Sequence, residues 1–233
     1  MRGEPQIVTA AIVDARGTVG SGVRARTWNE LGIDPLARAC AWPRSLSPTC
    51  EKFRRMDMLS RSVLLAAEMT GIGEPGFLHS ELRADTALVL ATTLGCLESD
   101  MRFARGLGRD GEIEPAVFSY TLSSTCLGEL AIRHGLMGPS FAFSTPLGAE
   151  VDGLQEARAL LESNEASAAM VCIGDAIPSD PACKLGMDPY WMVGAFLVMC
   201  DANRNPCLAW DDVERAGFLG RFANGLWSRG ALP

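Results

Sequence analysis

Residues 128–140, GELAIRHGLMGPS, lead directly into residues 141–145, FAFST, and this junction decides the fold. The first part has apolar positions at helical spacing and reaches Gly135, a residue that suits the left-handed cap at a helix end. The second part is a short, almost continuous apolar run, which is typical of a strand covered on both faces. Residues 146–150, PLGAE, then open another helix, and residues 168–173, AAMVCI, form the next apolar run. Helices that alternate with such strands predict an α/β fold with a mainly parallel sheet.

Outward from this junction, the chain contains five strand-like runs, which cover residues 7–13, 87–92, 140–145, 168–173 and 194–200. Prolines and no convincing helix separate the last two runs, so the fifth strand is predicted to run antiparallel to its neighbours. Helices are predicted after Asp57, a suitable N-cap, and over residues 122–133 and 154–161. Residues 15–50 are rich in Gly, Pro and Arg and are predicted to be a loop with one short helix near residues 26–31. We therefore expect a five-stranded, mostly parallel mixed sheet with helices on both faces, in a single domain of residues 1–233.

The composition narrows the possible functions. A formal charge of −7 without a basic stripe argues against nucleic acid or an anionic membrane surface as the main partner. The longest apolar run, residues 191–200, is far shorter than a bilayer span, and the N-terminus offers no secretory apolar region, so we expect a cytoplasmic protein. The eight cysteines are scattered and only two histidines accompany them, which indicates reduced thiols rather than a disulfide framework or a metal site. No cofactor is expected.

Two features that could suggest other chemistry have simpler interpretations. The glycine cluster of residues 17–22 follows a strand, as phosphate loops do, but it lacks the Walker lysine and the G-x-G-x-x-G spacing, so a turn is the better interpretation. His79 lies in a turn before a strand. His134 lies at a helix C-terminus, where its cation would favour the helix dipole. Structural roles are predicted for both.

Residues 132–140, IRHGLMGPS, and the strand after them resemble a stretch of the β-ketoacyl synthases of the thiolase superfamily. Those enzymes carry isoleucine-arginine-x-glycine-leucine-x-glycine-proline, then a strand, then threonine-alanine-cysteine at the start of a buried helix. Residues 90–95 (LATTLG) are similar to their glycine-threonine strand end, and residues 56–60 (MDMLS) to their helix opening. Residues 174–176 (GDA) are similar to a later glycine-rich turn with an acidic residue. The resemblance runs from residue 7 to about residue 202 and implies the N-terminal half of the family's fold.

The candidate site departs from the family pattern. The motif's threonine falls on Thr145, but its nucleophilic cysteine falls on Leu147, which has no nucleophilic atom. Condensation in the family also needs two histidines from the C-terminal half, which lies beyond these 233 residues. Neither of the two histidines here matches them. The resemblance therefore implies three degenerate active-site positions, Thr145, Leu147 and Glu150, and no intrinsic condensing activity.

Two residues could supply a replacement activity. Cys126 could be a displaced nucleophile, but His134 lies eight residues on along the same predicted helix, a rise of about 12 Å, which is too far for a hydrogen bond. Glu150 could promote decarboxylation, as polar residues do in family members without the cysteine, although a helix dipole alone explains a carboxylate in a first turn. We predict no catalytic residue and keep Cys126 as the alternative nucleophile.

The resemblance also implies a partner. Family members pack two similar halves against each other, so the apolar helix after Leu147 must be covered by self-association, by a partner or by the C-terminal residues 208–227. The function implied is a non-catalytic subunit similar to a chain length factor, paired with an active ketosynthase and an acyl carrier protein in bacterial fatty-acid, polyketide or aryl polyene biosynthesis. Two alternatives stay open: a stand-alone acyl-thioester-processing enzyme, such as an acyltransferase, hydrolase or decarboxylase using Cys126, Ser144 or Glu150, and a homo-oligomer that only binds an acyl group.

Overall fold

One mixed β-sheet organises the chain. The computed structural model describes residues 3–20, 23–34, 42–43, 46, 49–107, 114–146, 151–201, 204–213 and 217–229. Within these residues the strands are β1 (Gln6–Asp14), β2 (Gly17–Gly20), β3 (Val23–Thr27), β4 (Thr86–Thr92), β5 (Ser140–Ser144), β6 (Ala168–Ile177) and β7 (Tyr190–Met199). Their order across the sheet is β3-β2-β1-β7-β6-β4-β5.

The five predicted strands are present, and their directions follow the prediction. β5, β4 and β6 are parallel, whereas β7 is antiparallel to both β6 and β1. Every residue of β4 and β6 is buried, as their continuous apolar sequences indicate. The α/β class and the mixed sheet are therefore confirmed.

The predicted number of strands was wrong, because the described sheet has seven rather than five. The additional strands, β2 and β3, form a hairpin within residues 15–50, which were predicted to be mostly loop. The glycines there permit close backbone contact rather than a phosphate loop or a simple turn. A Cβ atom on Gly17 would lie 2.0 Å from the Arg26 carbonyl oxygen, and one on Gly20 would lie 2.3 Å from that of Met69. The short helix predicted near residues 26–31 is α1 (Trp28–Leu31), with Thr27 as its N-cap.

One face of the sheet is covered by two of the predicted helices. The first, α2 (Met58–Met69), begins after Asp57, whose carboxylate accepts a hydrogen bond from the Ser60 amide at 2.8 Å. Three other helices lie between it and the second in the chain, namely α3 (Ser80–Ala84), α4 (Leu97–Leu107) and α5 (Pro115–Phe118). The second is α6 (Thr125–His134), and it ends at Gly135 with φ 66°, as its sequence predicts. Both helices pack with alternate residues of β4, β6 and β7 into one apolar core.

The other face is covered by α7 (Asp152–Glu162) and by the C-terminal segment. The buried apolar residues of α7 pack against β4 and β6, and its Gln155, Ala159 and Glu162 are exposed. After α8 (Ser179–Lys184), the chain forms α9 (Trp210–Val213) and α10 (Phe218–Arg229). The Phe218 and Phe222 rings lie 5.5 and 5.8 Å from that of Phe196 on β7. Among the described residues, this C-terminal segment covers the strands beside α7.

Two tryptophans attach the C-terminal segment to β1. The Trp210 indole donates to the Pro5 carbonyl oxygen at 2.7 Å, and the Trp227 indole donates to the buried Asp14 carboxylate at 3.1 Å. Arg16 bonds the same carboxylate and lies 5.1 Å from the centre of the Trp227 ring. These contacts hold α10 against the β1–β2 hairpin. In the described part of the chain, no helix is long and apolar enough to cross a membrane.

Candidate functional site

The C-terminal ends of the three parallel strands meet at one edge of the sheet. Thr92 ends β4, Ser144 ends β5, and Asp175 lies near the end of β6. Open α/β sheets bind ligands beyond the carboxyl ends of their strands. Thr145, the residue after β5, is buried, and its amide donates to the Thr92 carbonyl oxygen at 2.9 Å. The position predicted from the family motif therefore lies at this edge.

The centre of this edge is the buried carboxylate of Asp175. It accepts hydrogen bonds from the Thr92 hydroxyl at 2.5 Å, the Thr93 amide at 3.1 Å and the Leu94 amide at 2.8 Å. The Thr92 hydroxyl in turn accepts from the Gly95 amide at 2.9 Å. The loop after β4 is thus tied to β6 by one side chain.

The sequence motif indicates Asp175 only as part of a glycine-rich turn and implies no role for its side chain. The apolar run before Asp175 could have indicated such a role. All ten residues of β6 are buried, and a buried carboxylate must be bonded by several donors. Gly174 before it has φ 125°, and a Cβ atom there would lie 2.1 Å from the Met192 carbonyl oxygen. Glycine at this position therefore permits β6 and β7 to approach closely beside the site.

Two of the predicted positions, Leu147 and Glu150, lie outside the described residues. Of the remaining side chains at the edge, Ser144 is exposed, and its hydroxyl donates to the Thr93 carbonyl oxygen at 3.1 Å. Asp175 is occupied by three donors. Among the described residues, the hydrogen bonds of the Thr92, Ser144 and Asp175 side chains involve hydroxyl, carboxylate and backbone groups, and no thiol or imidazole.

Cys126, the alternative nucleophile, lies in the core rather than at this edge. Its thiol is 2% exposed and donates to the Ser123 carbonyl oxygen at 3.0 Å. Burial raises the pKa of this thiol well above its ordinary value, and the nearby Cys172 and Asp57 add to the effect. A thiolate is the nucleophilic form, so this environment opposes the role of nucleophile.

Both histidines lie at the opposite end of the parallel strands, near the start of β4. His79 is the N-cap of α3 just before β4, and its Nδ1 accepts from the Leu82 amide at 3.2 Å. His134 ends α6, and the chain that follows it joins the start of β4 through a hydrogen bond from Gly138 to Thr86. Since β4 has seven residues, its start, beside these histidines, is about 20 Å from its end, beside Asp175.

His134 belongs to a buried ionic cluster. Arg133 donates to the Glu68 carboxylate on α2, and His134 Nε2 lies 3.4 Å from the same oxygen atom. Burial alone would raise the pKa of Glu68, but His134 and Arg133 beside the carboxyl hold that pKa below its usual value. The cluster links α2 to α6, which gives His134 a structural position.

No protein-family model matches the sequence, and no curated protein matches it either. Solved structures do match the fold. The structure described as the ishigamide ketosynthase/chain length factor has a TM-score of 0.65 at 23% identity, and the match covers 88% of this chain and 64% of that one. A ketosynthase in complex with its chain length factor from Xenorhabdus doucetiae gives 0.59 at 17% identity, covering 85% and 80%. A β-ketoacyl synthase from Burkholderia phymatum gives 0.58 at 13% identity, covering 86% and 60%.

These similarities define the fold as the thiolase-like fold of ketosynthases, as the sequence motifs imply. The solved structures that share it include both ketosynthases and chain length factors. The chain spans 64% of the length of the ishigamide protein to which it is similar.

Proposed function

We propose that this protein is a non-catalytic ketosynthase-like subunit, similar to a chain length factor, that pairs with an active ketosynthase. Its pathway would be fatty-acid, polyketide or aryl polyene biosynthesis with an acyl carrier protein. Two of the similar solved structures are described as a ketosynthase with its chain length factor. Another solved structure of similar fold, with a TM-score of 0.58 at 13% identity over 87% of this chain and 64% of that one, is described as a type II PKS acyl-carrier protein in complex with its ketosynthase.

The candidate site supports a role without condensing chemistry. In the motif resemblance, the family's cysteine position falls on Leu147. The two histidines are used at the other end of the parallel strands, and Cys126 is buried in the core. Asp175 and Thr92 bond to each other and fix the loop after β4, so both side chains have a structural role at the strand ends.

The observation that carries the pairing is the open edge at β5. Among the described residues β5 pairs only with β4, and its outer edge faces solvent. The strand sequence, SFAFS, has no charge and no proline, although proteins commonly protect an exposed edge with such residues. An unprotected edge of this kind favours pairing with another chain.

Exposed apolar side chains are concentrated in the stretch of chain that ends at this strand. Of the eight large apolar side chains that are exposed among the described residues, six lie between positions 107 and 141, on α4, α5, α6, β5 and their connections. They are Leu107, Phe118, Leu122, Ile132, Met137 and Phe141. A concentration of this kind is typical of an interface, so the partner is expected to cover β5 and the neighbouring helices.

The proposal is tested by co-expression with the ketosynthases encoded in the same gene cluster. We expect a 1:1 complex by native mass spectrometry and by light scattering. Phe141→Lys should weaken the complex at least about tenfold, because an ammonium group would be desolvated at the interface. The matched control is Leu185→Lys, since Leu185 is 48% exposed but lies outside the stretch of residues 107–141. It should change the affinity less than about twofold.

A monomer that does not bind any of these ketosynthases would contradict the proposal. If that monomer also turned over acyl thioesters and lost this activity in Cys126→Ala, the result would support the stand-alone enzyme instead. Circular dichroism of Phe141→Lys establishes that the variant is folded before its affinity is interpreted.

A further inference from the structure

A cavity rich in arginine lies away from the candidate site, between α2, α4 and α5. Its volume is about 410 Å³, within the range of small-molecule pockets. Four arginines line it, in a chain whose net charge is −7. They are Arg54, Arg55, Arg61 and Arg102.

The three carboxylates that line the same cavity already have partners. Asp57 accepts from the Ser60 amide at 2.8 Å, and Glu98 accepts from the Met58 amide at 3.3 Å, so both cap the start of α2. Glu114 is bonded to Arg102. Arg54 and Arg55 are both exposed, and neither side chain makes an ion pair with another described residue. Neither guanidinium group is therefore in direct contact with a described carboxylate.

The cavity wall is held in place before any ligand arrives. Arg61 is 6% exposed and donates to the carbonyl oxygens of Phe53 and Arg54 at 3.2 and 3.1 Å. These bonds fix the short helical turn Phe53–Arg55 that carries the two exposed arginines. Across the cavity, Arg102 Nε is buried and has no acceptor among the described residues. A bound oxyanion would supply one.

We propose that this cavity binds a small phosphate-bearing ligand through Arg54, Arg55 and Arg102. The planar guanidinium group donates two parallel hydrogen bonds to phosphate oxygens, and several such groups suit the three or four oxygens that a phosphate presents. Met56, Val117 and Pro178 line the rest of the cavity and give a less polar surface for the body of the ligand. This site does not depend on the proposed subunit role.

Isothermal titration calorimetry of the protein alone, in phosphate-free buffer, tests the proposal with two probes. Inorganic pyrophosphate tests the phosphate alone, and ADP tests phosphate attached to an organic body. We expect saturable binding of both. Equal affinities would assign recognition to the phosphates, and tighter ADP binding would add a contribution from the less polar wall. Arg54→Ala and Arg55→Ala should each weaken binding by about tenfold to hundredfold.

Two further variants make the test specific. Arg55→Lys keeps the charge but loses the paired donors, so it should weaken binding less than Arg55→Ala does. The control Arg158→Ala removes an arginine from α7, on the opposite face of the sheet, and should change the affinity less than about twofold. Absence of saturable binding for both probes, or an equal loss in Arg158→Ala, would overturn the proposal.

Discussion

Asp175 is the residue on which the geometry of the candidate site depends most directly. Its carboxylate accepts three hydrogen bonds, two of them from the amides of Thr93 and Leu94. In Asp175→Asn, the side-chain NH2 would replace one of the two accepting oxygens. It would then face at least one of these three hydrogen-bond donors, and that bond would be lost. We expect a loss of about 1–3 kcal/mol in the free energy of unfolding, measured by urea denaturation. Hydrogen exchange at Thr93 and Leu94 should also become faster.

The exposed Asp85 provides a matched control for this substitution, because it lies just before the other end of β4. Asp85→Asn is expected to change the free energy of unfolding by less than about 0.5 kcal/mol. Equal effects of the two substitutions would contradict the prediction. They would show that the three hydrogen bonds of Asp175 contribute no more to the free energy of unfolding than the exposed carboxylate of Asp85 does.

At the scale of elements, the link between α2 and α6 should give the protein a distinct acid sensitivity. Glu68 is bonded to Arg133 with both side chains largely buried, and its folded-state pKa is lower than the ordinary value of 4.5. Its stabilising effect is therefore complete above pH 4.5 and is lost as the pH falls through the lower folded-state pKa. At pH 7, Glu68→Gln should reduce the free energy of unfolding by about 3 kcal/mol, because Arg133 would be left buried without its counter-charge.

The measurement is urea denaturation of both proteins between pH 7 and pH 3. The difference between wild type and Glu68→Gln should shrink below pH 4.5. Glu162→Gln is the control, since it breaks the exposed Arg158 pair on α7 and should cost less than about 1 kcal/mol at either pH. A difference that stays constant with pH would contradict the ionised state of Glu68.

The strands and the site residues differ in how well the sequence alone predicts them. Four of the five predicted strands are largely buried on both faces, which leaves a continuous apolar sequence. The fifth, β5, is apolar in sequence but lies exposed at the edge of the sheet. The β2–β3 hairpin was missed because Gly17 and Gly20 serve close backbone contacts, and a single sequence does not distinguish those glycines from turn glycines. The position of Thr145 followed from the motif, whereas the bonds of Asp175 depend on β4 and β6 meeting 82 residues apart. The arginine cavity brings together three separate segments, so no local pattern indicated it.

At the scale of the whole molecule, the two apolar cores should not unfold separately. Successive residues of the central strands enter opposite cores: on β6, Met170 and Cys172 belong to the core under α2, and Val171 and Ile173 belong to the core under α7. Losing one core would therefore disrupt the same strands that form the other. Urea denaturation should give one transition, with the same midpoint by circular dichroism and by tryptophan fluorescence.

The tryptophans make this a stringent measurement, because Trp42 lies in the first core and Trp210 and Trp227 pack against the second. Phe196→Ala, in the second core, should cost about 3–5 kcal/mol, and Leu65→Ala, in the first, about 2–5 kcal/mol. Each substitution should lower both midpoints together, since either core depends on the shared strands. A Phe196→Ala protein whose fluorescence changes at lower urea than its circular dichroism would show instead that the C-terminal helix detaches before the sheet unfolds.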